Sequence, residues 1–335
     1  MLTVDLQRDF ALNQPLAPFA LAAIELLDPA SPSYAHDIVS VIESILENPM
    51  PVVLAQQYRA RGEAVAEMKA DGVEYEERMQ LLEEVTWPKP LAELLDAAFQ
   101  IYLAGHPWMA DSEPAPKSVL REMVEQGMTF SEFVGSYQIG RSEGALLRYL
   151  SDAYRALRQT VPPDARTEEL DDLTEWLGEL IRQVDSSLID EWEQLTTPGA
   201  GPGEIALGAG PKPITANRRA FRTLVRNALF RRVLLAARED VATLAALDPE
   251  LGADRWSAAL DDYYADHDEI GADADARGPR YFVVDEAKLD TWQVRQIIAD
   301  PAGDHDWAIT AEVDLVASDE EGDVVLRVEG LSRMD

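Results

Sequence analysis

Cysteine is absent from all 335 residues. That absence removes disulfides, thiolate metal sites and cysteine nucleophiles together, and it suits a reducing compartment. Aromatic residues are sparse, at 7% of the chain against 47% hydrophobic residues in all, the balance of an ordinary helix-rich protein. No stretch approaches about eighteen uninterrupted apolar residues, so no transmembrane span is expected. The N-terminus lacks a basic segment followed by an apolar core, which argues against a signal peptide. A cytoplasmic protein with no membrane partner is the expectation. Positive charge is scarce as well: 29 Lys+Arg, only five of them Lys, face 62 Asp+Glu, for a formal net charge of −33. Phosphate backbones repel such a molecule at long range, because affinity for nucleic acid rests on Lys and Arg displacing counterions. A freestanding nucleic-acid binder is disfavoured. A module whose basic contacts come mostly from an attached partner is not, and the plainest use of the charge is solubility.

What is present is helical first. Residues 1–198 carry apolar residues at three- and four-residue spacing in successive runs: Phe19 to Leu27, Asp37 to Leu46, Val52 to Ala70, Tyr75 to Glu84 and Leu91 to Leu103. Breaker-rich turns separate them, such as Asp28-Pro29-Ala30-Ser31-Pro32-Ser33 and the Pro-rich loop from His106 to Pro116. Lys117 to Gln126 and Phe130 to Tyr137 read as short helices, Glu143 to about Gln159 as a long one, and Thr167 to Gln194 as its apolar-striped return. Leu173, Leu177, Leu180 and Val184 face one way in that return, and two long antiparallel helices make a bundle the natural packing. Residues 199–213 form a Gly/Pro-rich linker. The remainder, 214–335, changes character. Asn217 to Arg238 and Arg255 to Tyr264 are helix candidates. Then the period switches to two over Arg280 to Asp285, Thr291 to Ala299, Asp306 to Ala317 and Val324 to Leu331. Helices followed by an antiparallel meander give α then α+β, and element order alone suggests a curved sheet of the cystatin-like or nuclear-transport-factor-like kind.

The stretch from Gly127 to Arg158, GMTFSEFVGSYQIGRSEGALLRYLSDAYRALR, holds a short helix, a connector and a long helix opened by Ser142-Glu143-Gly144. It resembles the C-terminal helical (DSHCT-type) domain of superkiller-type DEAD/DEAH-box RNA helicases. Leu6-Gln7-Arg8-Asp9-Phe10, Leu12-Asn13-Gln14, Leu26-Leu27-Asp28-Pro29, Glu43 through Pro49, Gly72 through Arg78 and His106-Pro107-Trp108 extend the likeness over residues 2–198. Specifically, these motifs resemble the domain of unassigned function appended to bacterial, largely actinobacterial, helicases of this class. In that family the long helix lies across the exit of the RNA channel and touches the threaded strand. Here it would be Glu143 to Arg158, about 24 Å long at helical rise. The resemblance makes Arg141, Arg148, Asp152 and Arg155 the RNA-contact candidates. Arg148, Asp152 and Arg155 fall at i, i+4 and i+7 on one face, and a planar guanidinium can bond phosphate or stack on a base. Leu146, Leu147, Leu150 and Leu157 would supply the buried side. The eukaryotic pattern has consecutive basic residues where Ser151-Asp152 stands, and the plain alternative is a row of surface ion pairs.

The motor itself is missing. No G-x-x-x-x-G-K-[ST] cradles ATP phosphates, and Asp285-Glu286-Ala287-Lys288 closes an expected strand with no phosphate loop before it. ATP hydrolysis by this chain alone is therefore not expected: no catalytic residue and no cofactor is assigned, and ATP and Mg²⁺ belong to the implied motor domains, in cis or in trans. The expectation is an accessory region whose bundle contacts RNA and whose tail docks on motor or partner. The alternative is a stand-alone binding protein that uses the α+β domain as a pocket or dimer surface.

Two further clusters stand out. Asn217 to Arg238 holds seven Arg and no Asp or Glu, with Arg218, Arg219, Arg222 and Arg226 as a secondary basic helix. It suits RNA phosphates or an acidic partner, and docking onto acidic groups of the same chain is the favoured reading. Asp261 through Glu269, with His267, has ligand types for a hard cation but lacks the Gly and spacing of a calcium loop. It reads as a solvated acidic face with an exposed His, and no metal site is assigned. His106 is explained by Pro-aromatic packing. Trp176 and Trp192 are expected in the bundle, with Trp292 and Trp307 on the concave side of the sheet, where a pocket is conceivable.

Overall fold

The computed structural model describes residues 15–185 and 213–334. The motifs at Leu6 to Phe10 and Leu12 to Gln14, Trp192, the expected helical run from 186 to Gln194 and nearly all of the 199–213 linker lie outside the described residues. Contacts divide the chain into two compact units. The first takes residues 1–123, 129–167 and 180–200; the second takes 124–128, 168–179 and 201–335. No helix among the described residues is long and apolar enough to cross a membrane.

Among the described residues, the regular elements of the first unit are all helices. α1 (Ala17–Ile24), α2 (Tyr34–Ser44), α3 (Met50–Ala70), α4 (Tyr75–Glu84) and α5 (Ala92–Gly105) are followed by α6 (Leu120–Glu125), α7 (Phe130–Tyr137), α8 (Glu143–Thr160) and the end of α9 (Glu168–Asp185). α2 is buried from Tyr34 through Ser44 except at Asp37 and packs against α8 and α1. α3 is different: of its 21 residues only Val52, Val53 and Gln56 are buried, as its mixed composition foretells. A capping box starts α7, with the Thr129 hydroxyl accepting from the Glu132 N–H and the Glu132 carboxylate accepting from the Thr129 N–H. In α9, Leu173, Leu177 and Leu180 are buried as the stripe predicts, whereas Val184, near the end of the described helix, is 43% exposed.

The second unit contains the first part of α9, then α10 (Arg218–Ala237), α11 (Val241–Leu247), α12 (Gly252–Asp266), β1 (Phe282–Asp285), β2 (Thr291–Ile297), β3 (Trp307–Asp314), α13 (Leu315–Glu321) and β4 (Leu326–Arg333). The four strands form one antiparallel sheet in chain order. Phe282 pairs with Gln296, Val294 with Ala311 and Ile309 with Leu331, and a register shift falls between Thr310 and Ala311. Trp292, Val294 and Gln296 of β2 alternate inward, where α10 packs on β2 and β3 and α12 on β4. The α then α+β architecture holds. Two details differ from the sequence expectation. Asp306 to Ala317 is not one strand: the Asp314 carboxylate accepts the Ala317 N–H and starts α13 there. α11 is likewise begun by Asp240, which accepts from the Thr243 N–H, and its seven residues are too few for a clear period.

Candidate functional site

α8 is the element that the sequence singles out, and its amphipathic pattern is strong. Leu146, Tyr149, Leu150, Ala153, Tyr154, Ala156 and Leu157 are buried, so one long face is core. Leu147 is only half-buried. The opposite side carries Arg148 and Arg158 exposed and Asp152 and Arg155 half-buried. Arg141 is exposed on the 3₁₀ turn Gly140–Ser142 that leads into the helix. The structure thus brings Arg148, Asp152 and Arg155 to one ridge. Arg155 pairs with Asp152 at 3.6 Å. Burial raises the Asp152 carboxyl above its ordinary value, while Arg155 and Arg148 act to lower it. Asp152 therefore spends part of the ridge's positive charge, and Arg148 is its most outward cation.

What holds the ridge in place was not legible in the sequence. Glu43, in the last turn of α2, is fully buried. Its Oε1 accepts the N–H groups of Val119 (2.9 Å) and Leu120 (2.8 Å), its Oε2 accepts the Arg121 N–H (3.0 Å), and the Tyr149 hydroxyl donates to Oε1 at 2.7 Å. A single carboxylate thus caps α6 and ties α2 to α8. Burial pushes the Glu43 carboxyl up against these donors, and it pushes the Tyr149 phenol well up. Lys117, also buried, donates from Nζ to the carbonyls of Glu43 (2.6 Å) and Leu46 (2.8 Å). Burial brings its pKa down to about 8, against the pull of Glu43. The available signal was a charged residue inside the apolar run Ile38 to Leu46. The partners 74 to 106 positions away along the chain gave none.

The secondary basic helix becomes α10, and three of its arginines meet carboxylates of their own unit closely. Arg219 pairs with Asp172 (2.5 Å), Arg218 with Glu286 (2.5 Å), and Arg232 with Asp248 through Nε and Nη2, the closest contact 2.7 Å. That is the intramolecular docking favoured from the sequence. The other two of the four candidate arginines are placed differently. Arg222 is exposed above the Phe282 ring, and Arg226 is buried with its nearest carboxylate, Asp172, 3.9 Å away. Arg226 Nε and Nη2 make no hydrogen bond, and burial lowers its pKa, with Arg222 adding to the effect. These side chains and Arg218, Arg219, Glu168 and Glu286 line a cavity of about 470 Å³. Arg277, a neighbour of Arg226, is buried and donates to the Val124 carbonyl and the Asn227 side chain. Burial and the neighbouring Arg226 bring its pKa down to about 9.

The match that decides the family covers this whole framework: the family described as Domain of unknown function (DUF3516) fits residues 1–331. The chain belongs to DUF3516. No curated protein and no solved structure matches it. In this DUF3516 chain the remaining candidates sort by burial. His106 stacks on Tyr102 with ring centroids 3.9 Å apart and shares a 3.0 Å contact with the Tyr102 carbonyl, a structural role. Trp176 is core, Trp292 packs on Phe221 and Trp307 on Tyr263, so the inner face of the sheet is filled by helices. His267 requires a correction. The acidic residues around it, Asp261, Asp262, Asp266, Asp268 and Glu269, are exposed as expected, but His267 itself is buried. It closes α12 in extended backbone, which turns its ring inward beside Tyr263.

Proposed function

We propose that this chain is a non-catalytic, accessory C-terminal region of a superkiller-type ATP-dependent RNA helicase. Its helical unit contacts the threaded RNA strand along α8, and its α+β unit docks on the motor or on a partner. The observation that carries this reading is the ridge of α8, where Arg148 stands outward, Arg155 lies beside it and Arg141 stands on the preceding turn, while the helix's other face is core. A strand passing along such a ridge would meet guanidinium groups about two helical turns apart, and each can bond phosphate or stack on an unstacked base. The net charge of −33 adds a condition: the ridge works only where a motor supplies most of the positive field. ATP and Mg²⁺ would be held by that motor.

The test joins genome and chemistry. Motor motifs should be encoded in the same or an adjacent reading frame, and RNA should crosslink to α8 in the assembled helicase. Arg148→Ala with Arg155→Ala should cut that crosslink several-fold without lowering the chain's stability. An unchanged crosslink, or no motor within reach, overturns the proposal. A second reading, a stand-alone binding module, is favoured by the cavity above Arg222 and Arg226. It gains if the chain acts with no motor encoded nearby.

A further inference from the structure

The end of α12 and the connection from β2 to β3 meet around His267. In that connection the Asp300 carboxylate folds the turn back on itself. Its Oδ1 accepts the Asp304 N–H at 3.0 Å and its Oδ2 the His305 N–H at 2.7 Å, and Gly303 takes a left-handed conformation between them. The turn places Asp300 and Asp304 beside His267, so that one ligand atom of each lies within 4.8 Å of the others. The side chains of His267 and Asp300 are 5% and 2% exposed, whereas Asp304 is open to solvent.

The distances are informative because they suit no direct bond. His267 Nδ1 stands 3.9 Å from Asp300 Oδ1, and Nε2 stands 3.4 Å from Asp306 Oδ1. Neither contact makes a hydrogen bond, and both Nε2 and Asp306 Oδ1 are buried without a partner. A buried imidazole among carboxylates normally bonds to one of them at ~2.7–3.0 Å. Ligand atoms around a tetrahedral first-row metal, each ~2.0–2.2 Å from the ion, stand ~3.3–3.6 Å apart, so the 3.9 Å between Nδ1 and Oδ1 needs only a small closing movement. A carboxylate for the ring's other nitrogen is also close by, short of hydrogen-bond geometry. A metal-bound histidine ordinarily offers its other ring nitrogen to a carboxylate. With Nδ1 toward Asp300, Nε2 faces Asp306, which Arg333 Nη2 holds at 2.5 Å. His305 Nδ1, buried and unpartnered, is 3.5 Å from Asp300 Oδ2 but lies outside this set of three.

We propose that His267, Asp300 and Asp304 form a site for a divalent first-row transition metal, with Asp306 orienting the histidine. The imidazole and carboxylate donors favour zinc-like ions over calcium or magnesium, which prefer all-oxygen shells. The ion joins the end of α12 to the β2–β3 turn, and its exposed side at Asp304 lets it exchange with solvent.

The experiment uses the full chain without a histidine tag, stripped with a chelator and desalted. Zinc is titrated calorimetrically, and Co²⁺ is followed by visible absorption, which reports tetrahedral ligation. One equivalent should bind, with a Co²⁺ band in the visible and a rise in Tm on adding zinc. Asp304→Asn, at an exposed position, should weaken binding by about tenfold or more, and His267→Gln should abolish the band. Asp268→Asn, exposed and outside the cluster, should bind as the parent does. No stoichiometric binding by the parent chain, or Asp304→Asn binding like the parent, overturns the site whether or not His267→Gln folds.

Discussion

Glu43 and Lys117 concentrate the buried charge of the helical unit in one place, and both should report on stability. Glu43→Ala removes an acceptor from three backbone N–H groups and from the Tyr149 hydroxyl, all in the interior. Removing one member of such a network costs about 3–5 kcal/mol, which urea unfolding should show as a lower midpoint with an unchanged slope. Lys117 acts through pH. Its pKa falls from 10.5 to about 8 on folding, so between these values the unfolded chain binds the extra proton and the folded chain does not. The penalty for burying the charge is complete below pH 8 and is relieved as pH rises toward 10.5. Stability of the parent relative to Lys117→Met should therefore increase over that window. A difference independent of pH would show that the ammonium stays protonated against its two carbonyls.

At the scale of elements, periodicity located nearly every long helix. The sequence expectation for Tyr75 to Glu84 and Phe130 to Tyr137 coincides with the observed ends, because a turn or cap signal bounds each. It failed where aspartate caps begin short helices, at Asp240 and Asp314, since seven residues do not establish a period against a neighbouring strand pattern. α10 shows how tertiary context changes the meaning of a basic run. Four arginines read as one patch, but the structure separates Arg218 and Arg219, engaged with carboxylates, from Arg222 and the buried Arg226. Arg232 is engaged most deeply. Its side chain and that of Asp248 are 8% and 3% exposed, and Arg232→Ala should cost about 3–5 kcal/mol by leaving Asp248 buried and unpaired. A thermal or urea melt that moves little would mean that water reaches the pair. Gly127 is constrained from another direction: its φ is +59°, and an added Cβ would come 2.7 Å from the Asn227 carbonyl oxygen. Gly127→Ala should lower the Tm of the α+β unit, through both the left-handed backbone and that clash.

For the whole molecule, composition and contact pattern lead to two expectations. The second unit includes Val124 to Met128 and Glu168 to Glu179, which precede the linker. A fragment beginning at Pro213 loses the carbonyl that Arg277 bonds, the Asp172 partner of Arg219 and the buried Leu173 and Trp176. It should be far more sensitive to protease than the same residues in the intact chain; equal resistance would show that the sheet and α10 to α13 suffice. The net charge of −33 sets the second expectation. At physiological salt the isolated chain should bind RNA no more tightly than ordinary non-specific complexes, ~10⁻⁴–10⁻⁶ M. Submicromolar binding without a motor would sink the accessory reading and return attention to this chain's own surfaces.

By itself the sequence determined the order of elements, the buried stripe of α8 and the outward placing of its arginines, because hydrophobic period and turn residues act over a few positions. It determined the absence of cysteine chemistry and of a phosphate loop in this chain for the same local reason. Which charges are buried was decided only by the tertiary structure. Glu43 meets Tyr149 across 106 positions, and His267 faces Asp300 with β1 and β2 intervening along the chain. No local pattern encodes either meeting, since each depends on where separate helices and turns come to pack and on how strongly burial then penalises an unpaired charge.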